Sequence, residues 1–141
     1  MNKPLLSICC LAFNTEKFIR NCLDGFIMQK TNFKFEVLIH DDASTDKTAE
    51  VIKEYEDKYP DIIKPIYQTE NQYSKGGSVS LNYNFPRAKG KYIAMCESDD
   101  YWTDPLKLQK QVDYLEENNN CSLVFTNYSI EYDNNKVIMN E

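Results

Sequence analysis

The sequence has little glycine, proline, histidine or tryptophan, and it has no excess of positive charge. It contains four Gly, five Pro, one His and one Trp in 141 residues. So few glycines and prolines exclude a collagen-like or linker-like chain. The formal net charge is −6. This argues against a nucleic-acid partner or an anionic membrane, because both favour a basic surface.

Long apolar runs and paired cysteines are also missing. No apolar run approaches the ~20 residues of a transmembrane helix. The apolar start of the chain lacks a small-residue cleavage site, so it predicts a buried strand and not a signal peptide. Five cysteines form an odd-numbered set without a CxxC pair, which argues against a zinc site or a disulfide framework. We therefore predict a cytoplasmic protein, and a peripheral position at the inner membrane face stays open.

Apolar runs alternate with helical patterns along the chain. The runs predict buried strands at 5–13, 35–40, 62–67 and 91–96. Apolar residues at helical spacing predict a helix after each of the first two strands, the second ended by Pro60, and a third begun by Asp104-Pro105. The order predicts one α/β domain over residues 1–141, with a mostly parallel sheet and helices on both faces.

Three further segments have weaker or different patterns. Residues 68–77 are polar and end in two glycines, which predicts a mobile loop. Residues 78–88 are weakly helical, with Gly90 as the expected C-cap. Residues 122–132 are rich in strand-forming side chains, and a hairpin turn is expected at 133–135.

Distinctive polar residues follow three of the predicted strands. They are Ala12-Phe-Asn14, Asp41-Asp42 and the acidic loop, Glu97-Ser-Asp-Asp100. Ligands of parallel sheets bind outside the carboxyl ends of the strands. The topology therefore predicts one site at which the three segments meet.

The acidic loop places three carboxylates within four residues. Mutual repulsion should raise their pKa values unless a cation compensates. Carboxylate oxygens suit Mg²⁺ or Mn²⁺, and phosphate oxygens can complete the coordination. The alternative is an ordinary solvated loop whose acids precede a helix.

The segment Asp41-Asp-Ala-Ser-Thr-Asp46 is the second acidic cluster. A carboxylate at the strand end can accept the imide N–H of uracil or thymine, and its neighbour can reach a ribose hydroxyl. The other interpretation is helix capping by Ser44, Thr45 or Asp46. Both roles are compatible within one segment.

Two single residues invite functional interpretation. His40 is the only histidine, and the two adjacent acids predict a raised pKa. It has no partner histidine for a metal site, so we expect a structural role. Trp102 could stack on a base, but an aromatic residue at a helix start more often anchors the core.

Together these segments resemble the nucleotide-sugar-binding half of a family 2 glycosyltransferase with the GT-A fold. Residues 6–14 resemble the family's first strand and its turn. Residues 35–46 resemble the strand followed by paired acids, and residues 88–102 resemble the strand followed by the DxD-type metal motif. The resemblance covers residues 4–133, with the motifs in order.

The resemblance implies roles for individual residues. It implies nucleotide contacts for Ala12, Asn14, Asp41, Asp42 and Asp99, with Asp42 reading the base. It also implies metal ligation by Glu97, Asp99 and Asp100, with Mn²⁺ or Mg²⁺ as cofactor. Glu97 departs from the usual aspartate, and Leu81-Asn82 stands where many relatives have Arg-Asn.

The resemblance further implies an inverting transfer from a nucleotide-diphosphate sugar, with a UDP-sugar expected, in cell-surface polysaccharide or glycan synthesis. The acceptor would be a glycan or a lipid-linked hydroxyl. No acid here matches the catalytic base, which we expect beyond residue 141 in a fold truncated on its acceptor side. One alternative is a non-catalytic nucleotide-binding or docking module. Another is an aspartyl phosphotransfer domain, but there the acidic pair follows the first strand and here it follows the second.

Overall fold

The computed structural model describes residues 3–132 and 135–138, and its centre is a four-stranded parallel sheet. The strands lie in the order β3-β2-β1-β4. Their bounds are β1 Leu6–Ala12, β2 Phe35–Asp41, β3 Ile63–Tyr67 and β4 Tyr92–Met95. The chain runs from β1 outward to β3 and then returns to β4 on the other side of β1. This reversal creates a crevice between the carboxyl ends of β1 and β4, where α/β sheets bind ligands.

Three α-helices contribute to one hydrophobic core on one face of the sheet. They are α1 Ile19–Ile27, α2 Thr48–Lys58 and α3 Lys107–Glu117. Alternate residues of β1 and β2 point into this core. Its fully buried side chains include Ile8, Phe26, Ile39, Ile52 and Leu108. The α/β class, the parallel sheet and the three α-helices agree with the sequence prediction.

The opposite face is covered by residues 79–88 in short helical turns. A π-helical turn, Ser80–Asn84, is followed directly by a 3₁₀ turn, Phe85–Arg87. The Asn84 side-chain amide donates to the carbonyl of Cys10 at 3.1 Å, and Arg87 donates to the carbonyl of Ile39 at 3.0 Å. The prediction of a helix over 78–88 is thus only partly right, because Pro86 removes a backbone donor and the segment is fastened to the sheet by side chains.

Gly90 has a different role from the predicted C-cap. The 3₁₀ turn ends at Ala88, in extended backbone, two residues before the glycine. A Cβ on Gly90 would lie 2.6 Å from the backbone nitrogen of Ser7 and 2.7 Å from two backbone atoms of Leu6. The absence of a side chain is therefore what allows the chain to enter β4 in contact with β1.

The last described residues form an antiparallel hairpin. It consists of β5 Ser129–Tyr132 and β6 Asn135–Ile138. Residues 133 and 134 of the predicted turn lie outside the described residues, and 122–128 have no regular structure. The strand prediction for 122–132 thus holds only at its carboxyl end. None of the helices in the described ranges combines the length and apolar composition needed to cross a bilayer.

Candidate functional site

The turns after β1, β2 and β4 meet at the carboxyl edge of the sheet, as the sequence predicts. The N–H of Asp42 donates to the carbonyl of Ala12 at 2.9 Å. On the other side of β1, the N–H of Ser98 donates to the carbonyl of Leu11 at 3.2 Å. The β1 turn therefore lies between the two acidic segments and is bonded to both.

Asn14 connects the β1 turn to the β2 turn. Its N–H donates to the Ser44 hydroxyl at 3.0 Å, and its side-chain oxygen accepts the N–H of Thr45 at 2.7 Å. Asn14 has a φ of +51°, in the left-handed region that asparagine tolerates better than most residues. Its amide oxygen is engaged within the protein, while the residue as a whole is exposed at the site.

Asp46 satisfies a free N–H at the start of α2, although the N-cap residue itself is Lys47 and makes no side-chain cap. Its carboxylate accepts the N–H of Thr48 at 2.9 Å, and its second oxygen accepts the N–H of Glu16 at 3.1 Å. Ser44 and Thr45 instead bond to Asn14, as described above. The capping prediction is confirmed for Asp46, whose carboxylate also ties α2 to the β1 turn.

Asp41 and Asp42 are both buried, with exposures of 2% and 6%. The Ser44 hydroxyl donates to one oxygen of Asp41 at 2.5 Å. The carboxylate of Asp42 accepts the N–H groups of Gln72 at 2.7 Å and Tyr73 at 3.0 Å. Hydrogen-bond donors of the protein itself thus compensate both carboxylates.

The loop that reaches Asp42 is more ordered than the sequence suggests. A 3₁₀ turn, Tyr73–Lys75, lies in the segment predicted to be mobile. The Asn71 side chain accepts the N–H of Ser74 at 2.8 Å and donates to the carbonyl of Asp42 at 3.3 Å. Asn71 followed by Ser74 is a turn signal that could have been read from the sequence.

His40 contradicts the prediction of a raised pKa. Burial lowers its pKa, and the charge of Arg87 acts in the same direction, against the opposing influence of Asp42 and Asp41. The ring has no exposed surface and packs on Tyr83 with centroids 4.7 Å apart. Sequence adjacency predicted the wrong sign because it gives no measure of desolvation. The packing agrees with the expected structural role.

The acidic loop presents its carboxylates to solvent. Glu97, Asp99 and Asp100 are exposed, whereas Ser98 between them is 2% exposed. Partial burial and the charges of Asp99 and Asp100 raise the pKa of Glu97, and partial burial and Asp99 raise that of Asp100. Within the described chain, none of the three side chains accepts a hydrogen bond. The expected rise in pKa is confirmed for Glu97 and Asp100.

The acidic loop suits a divalent cation only if a ligand completes the coordination. Across residues 3–132 and 135–138, no three histidine, cysteine or acidic side chains are arranged to hold a metal ion by themselves. Mg²⁺-type sites often combine one or two carboxylates with substrate phosphates and water. The mutually repelling carboxylates of the acidic loop, which receive no hydrogen bond from the described residues, fit such a shared site.

Trp102 anchors the segment that leaves the acidic loop. Its ring meets Phe26 edge to face with centroids 4.9 Å apart, and its backbone lies against α1, where a Cβ on Gly25 would be 2.9 Å from the Trp102 nitrogen. The anchoring interpretation is confirmed. Next to it, the Tyr101 hydroxyl donates to Glu131 of β5 at 2.6 Å.

Phe13 is a candidate contact that the sequence analysis did not single out. It is 48% exposed, and it lies between the buried Ala12 and the exposed Asn14 at the end of β1. An exposed aromatic ring at a ligand-binding edge can stack on a base or sugar. The only signal in the sequence was its position after the strand, where it appeared to extend the apolar run.

Comparison with known proteins gives a family match over most of the chain. The family described as Glycosyl transferase family 2 matches residues 7–141. The WfaP protein of Escherichia coli is 34% identical over 129 residues, which are 92% of this chain and 48% of WfaP. WfaP is named as a UDP-Glc:α-D-GlcNAc-diphosphoundecaprenol β-1,3-glucosyltransferase. The chain spans about a third to a half of the curated relatives that it matches.

Two solved structures share the fold. S. aureus TarS in complex with UDP has a TM-score of 0.66 and 28% identity, over 79% of this chain and 32% of that chain. The mannosyltransferase PcManGT from Pyrobaculum calidifontis, in complex with GDP-Man and Mn²⁺, has a TM-score of 0.68 and 25% identity, over 80% of this chain and 32% of that chain. Both are GT-A glycosyltransferases, in agreement with the predicted fold.

Proposed function

Because the chain belongs to glycosyltransferase family 2, we propose that its described residues are the donor-binding domain of an inverting, divalent-metal-dependent glycosyltransferase. The donor is a nucleotide-diphosphate sugar, and a UDP-sugar is the first choice. The acceptor is a glycan or lipid-linked hydroxyl in polysaccharide synthesis. UDP in TarS and UDP-Glc in the name of WfaP support the choice of nucleotide. We place the reaction in the cytoplasm, because the reaction needs a supply of nucleotide sugars and we expect that supply there.

One observation carries this proposal: the acidic loop lies beside the β1 turn, and among the described residues no group donates a hydrogen bond to its carboxylates. The crevice between β1 and β4 is bordered by the β1 turn on one side and the acidic loop on the other. A diphosphate group in this crevice would bring phosphate oxygens to Asp99 and Asp100. Those two residues are our proposed principal metal ligands, with Glu97 in a supporting role. The Mn²⁺ in PcManGT supports a metal in this class of site.

The nucleoside belongs on the β2 side of the crevice. Asp42 is our proposed base-reading acid, and the N–H groups of Gln72 and Tyr73 occupy its carboxylate in the structure. An imide N–H can join or replace these donors, since a carboxylate has about four acceptor positions. The exposed ring of Phe13, directly after Ala12 at the same edge of the sheet, would offer a stacking surface. Asp41 would reach the ribose directly or through Ser44. Ala12 and Asn14 contribute backbone and shape at the end of β1.

The roles of these residues in the transfer follow from charge. When bound, the metal neutralises the negative charge that develops on the nucleoside diphosphate leaving group. Asp99 and Asp100 would hold the metal, and Asp42 and Phe13 would fix the nucleoside. A general base must also take the proton of the acceptor hydroxyl. We assign no residue of this chain to that step.

The direct test is calorimetric titration of UDP into the protein with and without Mn²⁺. We expect micromolar binding with Mn²⁺ and at least tenfold weaker binding without it. GDP, dTDP and CDP serve as controls for base selection, and UMP tests the need for a diphosphate. Equal affinity for UDP and UMP in Mn²⁺ would refute the shared metal–diphosphate site. No binding of any of these nucleotides would refute the donor-domain assignment.

A further inference from the structure

Thr15 and Ser98 join the β1 turn to the acidic loop. Their hydroxyl oxygens lie 2.8 Å apart, across 83 positions of sequence. We propose that the two form a positioning pair, which sets the acidic loop relative to the nucleotide-binding turn in one geometry suited to a metal-bound diphosphate. The inference deepens the proposed function and rests on it. Thr15 was not among the predicted site residues, and Ser98 appeared only as the residue between two acids.

The Thr15 end of the pair is held rigidly. Its N–H donates to the Thr48 hydroxyl at 2.8 Å, and Thr48 has no exposed surface. The Thr15 carbonyl accepts the N–H groups of Phe18 and Ile19, each at 2.9 Å, at the start of α1. The Thr15 hydroxyl therefore projects from a point fixed by both α1 and α2.

The Ser98 end is the buried point of an otherwise exposed loop. Ser98 is 2% exposed, while its neighbours Glu97 and Asp99 are exposed. Its N–H also bonds to the carbonyl of Leu11, on the strand that leads to Thr15. Backbone and side chain of Ser98 are thus both tied to the β1 segment, and the acids on either side project from this attachment.

A hydrogen bond that positions the acidic loop matters because the carboxylates of the loop repel one another. Without a cation, moving apart lowers their electrostatic energy, whereas a metal shared with a diphosphate requires them in a narrow range of positions. Groups that orient metal ligands through hydrogen bonds commonly affect metal affinity tenfold or more when they are removed. A hydroxyl pair carries no charge, so it can hold the loop without competing for the cation.

The test compares four variants by two measurements. Thr15→Val keeps the shape of the side chain and removes its hydroxyl, Ser98→Ala removes the other hydroxyl, and a double variant removes both. Thr15→Ser keeps the hydroxyl. The first measurement is the Mn²⁺ midpoint for UDP binding. The second is hydrogen exchange of the Ser98 and Asp100 amides without ligand.

We expect each single loss to raise the Mn²⁺ midpoint and speed amide exchange roughly three- to tenfold, as for one lost hydrogen bond. The double variant should lose little more than the worse single variant, because both remove the same interaction. Thr15→Ser should keep the Mn²⁺ midpoint and the amide exchange rates of the unaltered protein. UDP affinity without metal should stay unchanged.

Thr31→Val is the matched control, because the Thr31 hydroxyl donates to the carbonyl of Phe33, at 2.6 Å, before β2 and away from the acidic loop. It should leave the Mn²⁺ midpoint and the exchange of both amides unchanged. Additive losses in the double variant, or a shift equal to that of Thr31→Val, would overturn the positioning pair. If the unaltered protein shows no Mn²⁺-dependent UDP binding, the proposed function fails, and the exchange rates alone decide whether the pair orders the loop.

Discussion

The two acidic clusters at the carboxyl edge of the sheet differ in how their charge is compensated. Asp41 and Asp42 are buried and accept hydrogen bonds from Ser44, Gln72 and Tyr73. The acidic loop is exposed, and within the described chain its carboxylates accept no hydrogen bond. The protein's own hydrogen-bond donors compensate the charge of Asp41 and Asp42. The carboxylates of the acidic loop repel one another, and a cation would relieve that repulsion.

This difference separates two uses of an acid at a strand end. A buried carboxylate with N–H donors stabilises the fold and fixes the loops around it, because unpaired buried charge is costly. An exposed and repelled set costs some stability, and under the proposed function it provides affinity for a cation. Both clusters place adjacent acids at the end of a strand, so mutation of each cluster should distinguish the two uses.

The largest effect on stability should come from Asp42→Ala. The substitution leaves the N–H groups of Gln72 and Tyr73 without their acceptor, and we expect the free energy of unfolding to fall by about 2 kcal/mol. Urea denaturation measures the change. Asp42→Asn should lose less, because its amide oxygen can still accept one N–H group.

Asp99→Ala provides the contrasting control for stability. Its side chain is exposed and makes no hydrogen bond to the part of the chain that the structure describes, so the free energy of unfolding should change by no more than about 0.5 kcal/mol. A loss as large as that of Asp42→Ala would show that the acidic loop also supports the fold, and the contrast between the clusters would fail.

The converse effect on binding is expected for Asp100→Ala. This variant should lose the Mn²⁺-dependent part of UDP binding, at least tenfold or about 1.4 kcal/mol, without loss of stability. Calorimetry with and without Mn²⁺ measures it. Glu50→Ala, on the exposed surface of α2, is a control for the loss of one acidic charge. An unchanged Mn²⁺ response in Asp100→Ala would exclude this residue as a metal ligand.

The pH dependence should differ in sign between the clusters. The raised pKa values of Glu97 and Asp100 mean that the folded protein binds more protons than the unfolded chain, so this loop lowers stability as the pH rises from about 4 through the raised values. For Asp46, burial opposes the shift, but the hydrogen bonds from Thr48 and Glu16 prevail and lower its pKa. Its contribution is therefore present above the unfolded pKa and is lost as the pH falls through the folded pKa.

Denaturation curves between about pH 3 and pH 7 can separate these contributions. The double variant Glu97→Gln/Asp100→Asn should gain stability over the unaltered protein as the pH rises. Asp46→Asn should instead lose stability over the same rise. If the stability difference between the Glu97/Asp100 variant and the unaltered protein is constant with pH, charge repulsion in the acidic loop is refuted.

Apolar patterns predicted the strands β1 to β4 and the three α-helices, because the spacing of apolar residues within each segment indicates which of its side chains are buried. The strand prediction for 122–132 was only partly right, since β-propensity needs a partner strand and 122–128 have none among the described residues. Residues 78–88 were misassigned in part because side chains such as Asn84 and Arg87, bonded to the sheet, determine their path.

The acids of the site could be found from the sequence, but their partners could not. Their positions follow from the ends of strands. The donors for Asp42 come from a loop 30 residues away, and the Thr15–Ser98 contact spans 83 positions. The error in the pKa of His40 has the same origin, because desolvation depends on Tyr83 and other groups brought in by the fold.

The smallest predicted effect concerns Ala43, directly after the buried acidic pair. Its φ of +61° lies in the left-handed region, which costs a residue with a Cβ about 1–2 kcal/mol. Ala43→Gly removes this strain but adds about 0.5–1 kcal/mol of backbone entropy to the unfolded chain. We expect a net gain of about 0.5 kcal/mol in urea denaturation.

The same substitution within a helix should have the opposite sign. Ala49→Gly, in α2, should lose about 1 kcal/mol, because glycine is a poor helix former and no strain is relieved there. A gain at Ala43 with a loss at Ala49 would show that the turn after Asp42 is held in a strained conformation by its hydrogen bonds. Equal losses at both positions would contradict that conclusion, and the buried acidic cluster would then stabilise its turn without strain.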